Sequence, residues 1–330
     1  MRLLTSDLLV ERFGGRMRAV APGIEFIRLR GDRTFDGDVR TADVVCLSSD
    51  LFYRDLYRTL FEELPNLMGM RWFHIFAAGL DHPVFRSMAE RGVTVTNSAG
   101  FNAVPIAQYV LAMMLRHAKR IPAWEAAQRE RAWQRIDSDE LTGATVALVG
   151  LGSIGGEVAR LARAFGMRVV AVRRRPGPDG LVDALYPTAQ LHRMLAEADY
   201  VVIAAPLTPE TAGLIDAAAF AAMKPSAYLI NVARGPIVDE AALIDALRDG
   251  RIAGAALDVF ATEPLPSESP LWAMENVIVT PHGSASSPRT LDRGALIFVD
   301  NLRRYATGEP LLNVADFGLA TYAEPASGAG

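Results

Sequence analysis

Short apolar runs alternate with helical periodicity along much of this chain. Between about residues 142 and 283, the runs Thr145–Val149, Arg168–Val172, Tyr200–Ala205, Ala227–Val232, Ala255–Phe260 and Asn276–Thr280 predict strands. Helical patterns separate most of them; Ile154, Val158, Leu161 and Phe165, for instance, recur at spacings of 4, 3 and 4. Strands that are apolar at nearly every position, with helices between them, predict a parallel sheet covered on both faces. The pattern thus predicts a doubly wound α/β domain. Its helix Glu240–Arg248 is predicted to stop at Gly250, because the left-handed backbone that ends a helix suits glycine.

The first hundred residues alternate too, with strands predicted at Asp43–Leu47, Trp72–Phe76 and Val93–Thr96, and so suggest a second, smaller α/β unit. Two long helical patterns bracket the middle domain. One starts near Asn102, carries Pro105 in its first turn and sets Ile106, Val110, Met113 and His117 on one face. The other starts at Ser287-Pro288, carries Leu291, Ala295, Phe298 and Leu302, and stops at Gly308. If both cross between domains, the smaller domain is discontinuous, with residues 1–98 and 291–330 flanking the middle α/β domain over 99–290. The tail from Glu324 to Gly330 is too poor in apolar residues to order, and is expected to fray.

Composition narrows the class. A chain of 330 residues suggests about two domains. Half of it is apolar and 22% is charged, as in ordinary globular proteins. Lys+Arg minus Asp+Glu is 34 − 38 = −4, which provides no global field for nucleic acid or anionic lipid. The single cysteine, Cys46, excludes an internal disulfide and a cysteine-based zinc cluster; its apolar run reads as buried strand. No run reaches the roughly 18 apolar residues of a membrane helix, and the N-terminus meets acid too early for a secretory signal. These features predict a soluble, cytoplasmic protein with neither nucleic acid nor membrane as partner.

Gly150-Leu-Gly-Ser-Ile-Gly155 follows a predicted strand and opens a predicted helix. In that context the first glycine permits a tight turn, Gly152 allows backbone to approach a pyrophosphate, and Gly155 lets helix and strand pack closely. The helix N-terminus, with Ser153 and Ile154, adds partial positive charge. About 20 residues on, a site selective for NAD usually carries an acid for the ribose hydroxyls. This chain has Arg173, Arg174 and Arg175 there instead. Three guanidinium groups and no carboxylate favour a 2′-phosphate, hence NADP(H), with NAD(H) as the alternative cofactor.

Three ionisable residues stand just past three successive apolar runs: Arg234, Glu263 and His282. Singly, each also fits a surface charge or a turn residue. In an open parallel sheet, however, ligands bind outside the carboxyl ends of the strands, where distant residues converge. There the chemistry is complementary. His282 is suited to protonate a carbonyl oxygen as a hydride arrives, Glu263 to orient the imidazole and favour its cation, and Arg234 to bind a substrate carboxylate and polarise the carbonyl.

With these residues in place, the chain resembles the D-isomer-specific 2-hydroxyacid dehydrogenases over nearly its whole length. The resemblance is carried by Gly150–Gly155, Pro206-Leu-Thr-Pro-Glu-Thr211, Asn231-Val-Ala-Arg-Gly235, Ala256-Leu-Asp-Val-Phe260, Glu263-Pro-Leu-Pro266 and Pro281-His282. It implies a Rossmann cofactor domain inserted in a flavodoxin-like α/β substrate domain, an active-site cleft between them, and homodimers formed largely through the cofactor domain. It also implies that Arg234, Glu263 and His282 are catalytic, and that Asp258 holds the nicotinamide carboxamide. Pro206, Leu207, Thr208 and Val232 would lie beside the cofactor, and the backbone N–H groups of Ala78 and Gly79 would take the substrate carboxylate. Phe52 and Tyr53 are candidates for the substrate side-chain pocket, or else core packing. The implied reaction is hydride transfer between NAD(P)H and a 2-oxo acid or D-2-hydroxy acid, as in glyoxylate and hydroxypyruvate reductases. The alternative is a dinucleotide-sensing, corepressor-like regulatory protein on the same fold. Two departures stand out. The family often has an acid after the alanine of the first long helix, where this chain has Gln108 after Ala107, and the arginines at 173–175 replace the usual NAD-type acid. His74, His82, His117 and His192 lack metal-ligand spacing, and no metal is expected.

Overall fold

The structure is a computed structural model that describes residues 1–77, 79–80, 82–173 and 180–317. The chain divides into two compact units, Met1–Asn102 with Ser287–Gly330, and Ala103–Ser286. The expected frayed tail from Glu324 onward lies outside the described residues.

The first unit holds β1 (Arg2–Ser6), β2 (Glu25–Leu29), β3 (Val44–Leu47), β4 (Trp72–Ile75) and β5 (Thr94–Asn97). They form a five-stranded parallel sheet in the order β2-β1-β3-β4-β5. Side chains alternate between two cores. Leu4, Val45, Leu47, Phe73 and Ile75 enter one face, while Leu3, Val44, Cys46 and Trp72 enter the other. The helix Thr290–Thr307 covers the second face with Leu291, Ala295, Phe298 and Leu302, and Gly308 ends it in the left-handed region at φ 73°. Two strands of this sheet have no counterpart among those expected from the sequence. The sheet edge β2 mixes Glu25 and Arg28 with apolar residues, and β1 opens the chain on Arg2.

The second unit holds β6 (Thr145–Val149), β7 (Arg168–Val172), β8 (Ala184–Tyr186), β9 (Tyr200–Ile203), β10 (Tyr228–Asn231), β11 (Gly254–Leu257) and β12 (Val277–Val279). Their order is β12-β11-β10-β9-β6-β7-β8, all parallel. Ala147, Val149, Val201 and Ile203 face one core, whereas Val146, Leu148 and Val202 face the other, so the sheet is covered on both sides. This is the expected doubly wound parallel α/β architecture. Thr145–Val149 and Arg168–Val172 coincide with β6 and β7, whereas the other four predicted strands run one to three residues too long at their carboxyl ends, because the residues past Ile203, Asn231, Leu257 and Val279 leave the ladder as loops.

Two helices differ from their sequence patterns. In Ala103–Ala118 the buried stripe runs through Ile106, Val110, Met114 and Ala118. Met113 and His117 sit at its margin, and His117 stacks on Tyr228 with ring centroids 4.2 Å apart. Phe165 lies just past the helix Ser153–Ala164, at its C-cap, and stays 41% exposed rather than joining the core. No described helix is long and apolar enough to cross a membrane.

Candidate active site

Parallel strands put all their carboxyl ends on one edge of the sheet. In the second unit β6 continues to β7 on one side, while β9 pairs on its other side, so the strand order reverses between β6 and β9. The loops after these two strands therefore diverge at a topological switch point, where doubly wound sheets bind ligands.

The glycine loop leaves β6 at this point. Gly150 has φ 102°, and a Cβ there would come within 2.7 Å of the Ala205 backbone across the switch point. A side chain on Gly155 would collide with the Gly150 carbonyl oxygen. Gly152 differs: a Cβ there meets nothing within 4 Å, so the protein's own packing does not require its smallness. Gly152 is also the N-cap of the helix Ser153–Ala164 and supplies no side-chain cap. An uncapped helix start beside a bare backbone suits the phosphates of a dinucleotide. Arg173 directly follows β7; Arg174 and Arg175 lie outside the described residues.

Across the switch point, Pro206, Leu207 and Thr208 follow β9. Thr211 pins this loop, accepting the Thr208 amide at 2.8 Å and donating to the Pro206 carbonyl at 2.7 Å. Val232 follows β10 with its side chain buried in the core, so it presents only backbone to a neighbour.

The three ionisable candidates follow β10, β11 and β12, which are adjacent. Arg234 is half-buried and donates to the Ala233 carbonyl at 2.7 Å; its own carbonyl accepts from the buried Asn231 amide at 3.1 Å. Gly235 packs against the next loop so tightly that a Cβ would collide with the Phe260 carbonyl and the Ala261 nitrogen. That loop carries Glu263. One Glu263 oxygen accepts the Phe260 amide at 3.1 Å, and the other lies 2.8 Å from His282 Nδ1. Contacts thus link the Arg234 loop to the Glu263 loop, and Glu263 to His282.

Asp258 underlies this arrangement. It is 1% exposed, a costly location for a carboxylate unless it is well hydrogen-bonded. Its Oδ1 accepts the Thr280 hydroxyl at 2.6 Å, the Gly283 amide at 2.8 Å and the Ser284 amide at 3.1 Å; Oδ2 accepts the Ser284 amide at 3.0 Å. The His282 amide donates to the Asp258 carbonyl at 2.9 Å, with His282 itself at φ 50°. A non-glycine residue in the left-handed region is uncommon, and the bonds to Asp258 hold this one there. Thr280, Gly283, Ser284 and Tyr109, whose hydroxyl on the helix Ala103–Ala118 lies 2.9 Å from that of Thr280, are not among the site residues expected from the sequence. Hydroxyls and backbone amides leave no charge pattern to find.

The remaining candidates belong to the first unit. Phe52 and Tyr53 end the short helix Ser49–Tyr53 and are 38% and 65% exposed, which excludes core packing for Tyr53; Phe52 stacks on Tyr57 with centroids 5.2 Å apart. Gly79 is half-buried, whereas Ala78 lies outside the described residues. Cys46 is buried in β3, where loss of solvation pushes its thiol well up. Among the described residues, no group of three or more His, Cys, Asp or Glu is arranged to hold a metal ion.

Residues 111–284 match the family model described as D-isomer specific 2-hydroxyacid dehydrogenase, NAD binding domain. The D-3-phosphoglycerate dehydrogenase of Mycobacterium bovis is 40% identical over 242 residues, covering 73% of this chain and 46% of that protein. The glyoxylate reductase of Korarchaeum cryptofilum is 35% identical over 259 residues, 76% of each chain. Among solved structures, a D-isomer specific 2-hydroxyacid dehydrogenase from Xanthobacter autotrophicus Py2, in complex with NADPH and MES, superposes with a TM-score of 0.77 at 34% identity, covering 96% of this chain and 98% of that one. The chain spans about half the length of the phosphoglycerate dehydrogenases it matches.

Proposed function

Because this chain belongs to the D-isomer specific 2-hydroxyacid dehydrogenase family, we propose that it reduces a small 2-oxo acid, of the glyoxylate and hydroxypyruvate class, to the D-2-hydroxy acid, with NADP(H) preferred over NAD(H). The observation that carries this reading is the 2.8 Å contact of Glu263 with His282 Nδ1, on the sheet edge that also bears the glycine loop. When bound, the reduced nicotinamide supplies the hydride.

The chain's own residues do the rest. The carboxylate of Glu263 accepts from Nδ1–H and fixes the ring, so Nε2 of His282 is the nitrogen that gives a proton to the carbonyl oxygen. Arg234 binds the substrate carboxylate and polarises the adjacent carbonyl, with Gly79 and Ala78 adding backbone donors and Phe52 and Tyr53 lining the side-chain pocket. Asp258 accepts the nicotinamide carboxamide. Gly150, Gly152, Ser153, Ile154 and Gly155 cradle the pyrophosphate, with Pro206, Leu207, Thr208 and Val232 alongside. Arg173, Arg174 and Arg175 bind the 2′-phosphate; the NADPH complex of the 34%-identical relative supports that choice. The working assembly is a homodimer.

The test is a panel of 2-oxo acids assayed with NADPH and NADH, in the wild type and in Arg174→Glu. A higher kcat/KM with NADPH, lost in Arg174→Glu, is expected. A clear NADH preference in the wild type refutes the phosphate site. No turnover with any acid refutes the reductase and leaves the dinucleotide sensor.

A further inference from the structure

A carboxylate offers about four lone-pair positions, and Asp258 uses three donors to fill most of them: the Thr280 hydroxyl, the Gly283 amide and the Ser284 amide, the last shared between both oxygens. Oδ1 is crowded. Oδ2 has only the shared amide among the described residues, which leaves it able to accept one further N–H, the kind of donor a carboxamide presents.

Thr280 has a single hydroxyl proton, and its 2.6 Å contact with Asp258 Oδ1 consumes it. The 2.9 Å contact between Thr280 Oγ1 and Tyr109 Oη therefore has Tyr109 as donor. A directional chain results, from Tyr109 to Thr280 to Asp258, in which each bond polarises the next. Its first member sits on the helix Ala103–Ala118 and its last at the end of β11, so the chain ties a helix to the turn that bears His282. Burial raises the Tyr109 phenol above its ordinary value, which keeps the donor protonated.

We propose that Tyr109 is a positioning residue for the nicotinamide end of the cofactor, acting through Thr280 to aim Asp258 Oδ2 at the carboxamide. The proposal rests on the dehydrogenase reading above, in which Asp258 takes the carboxamide, and its test separates the proposal from that reading. NADPH binding is titrated by fluorescence, without turnover, in the wild type, Tyr109→Phe, Thr280→Val, Thr280→Ser and the double variant Tyr109→Phe/Thr280→Val. 2′-Phospho-ADP-ribose, which lacks the nicotinamide, is titrated in parallel.

Loss of one such hydrogen bond should raise the NADPH Kd about 3- to 10-fold in Tyr109→Phe. Thr280→Val should weaken it further, Thr280→Ser should bind as the wild type does, and the double variant should match Thr280→Val, because Tyr109 acts only through that hydroxyl. The affinity for 2′-phospho-ADP-ribose should not move. An unchanged NADPH Kd in Tyr109→Phe, additive effects in the double variant, failure of Thr280→Ser to rescue, or equal weakening of 2′-phospho-ADP-ribose would each overturn the proposal. Wild-type protein that binds neither NADPH nor NADH would instead bring down the dehydrogenase reading beneath it.

Discussion

Glu263 holds His282 from the adjacent loop: Oε2 lies 2.8 Å from Nδ1, while Oε1 is anchored by the Phe260 amide at 3.1 Å. The side chains are 37% and 50% exposed respectively, so solvent screens much of their attraction. Orientation of the ring then counts for more than the charge beside it.

Glu263→Gln and Glu263→Ala should consequently differ. Glutamine keeps an oxygen that can accept from the imidazole, and kcat should fall about 10-fold; alanine frees the ring, and the loss should approach 100-fold. Steady-state kinetics at saturating substrate check this. Equal losses in the two variants would make charge, not orientation, the main contribution.

Gly235 leads from the Arg234 loop, and its missing side chain lets that loop sit against Phe260 and Ala261. An alanine Cβ there meets backbone atoms, which cannot rotate aside as a side chain would. Gly235→Ala should cost about 1–3 kcal/mol of stability in urea unfolding, with kcat reduced because Glu263 moves along with the displaced segment. Unaltered stability and rate would show that the two loops are not in register.

His74 makes a separate prediction about pH. It is fully buried in β4, with Nδ1 2.7 Å from Thr96 Oγ1 and Nε2 2.9 Å from Ser98 Oγ, and burial pushes its pKa down to about 3. Above the unfolded value near 6.5, both states are neutral and the ring costs nothing. As pH falls below that value the unfolded chain takes up a proton that the folded chain refuses, so stability drops, and it continues to drop until the folded value is reached. Between pH 6 and 4 this residue should contribute a slope approaching 1.4 kcal/mol per pH unit. Urea unfolding of His74→Asn over the same range should show the slope reduced by that amount. An unchanged slope would mean that His74 protonates without unfolding.

The residues explain what the sequence alone could reveal. Strands β6 and β9, apolar at almost every position, are legible because both faces are buried. The edge strands β2 and β8 are not: β2 mixes Glu25 and Arg28 with apolar residues, and β8, Ala184–Tyr186, is only three residues long, too short to show a period. Of the site, the glycine loop and the charged residues Arg234, Glu263 and His282 stand out because their chemistry is specific to type and place; Asp258, by itself a strand-end acid, is reached only through the family resemblance. Tyr109 and Thr280 do not: they meet across 171 positions of sequence, and neither carries a charge. Gly235 matters through the backbone it touches, which only coordinates reveal.

Proton delivery by His282 is the central step of the proposed reaction. The most direct measurement is kcat for 2-oxo acid reduction by His282→Ala at saturating NADPH, with the cofactor Kd determined on the same preparation. A loss of at least about 100-fold in kcat, with cofactor affinity retained, is the predicted result. A variant that turns over at nearly the wild-type rate would contradict it.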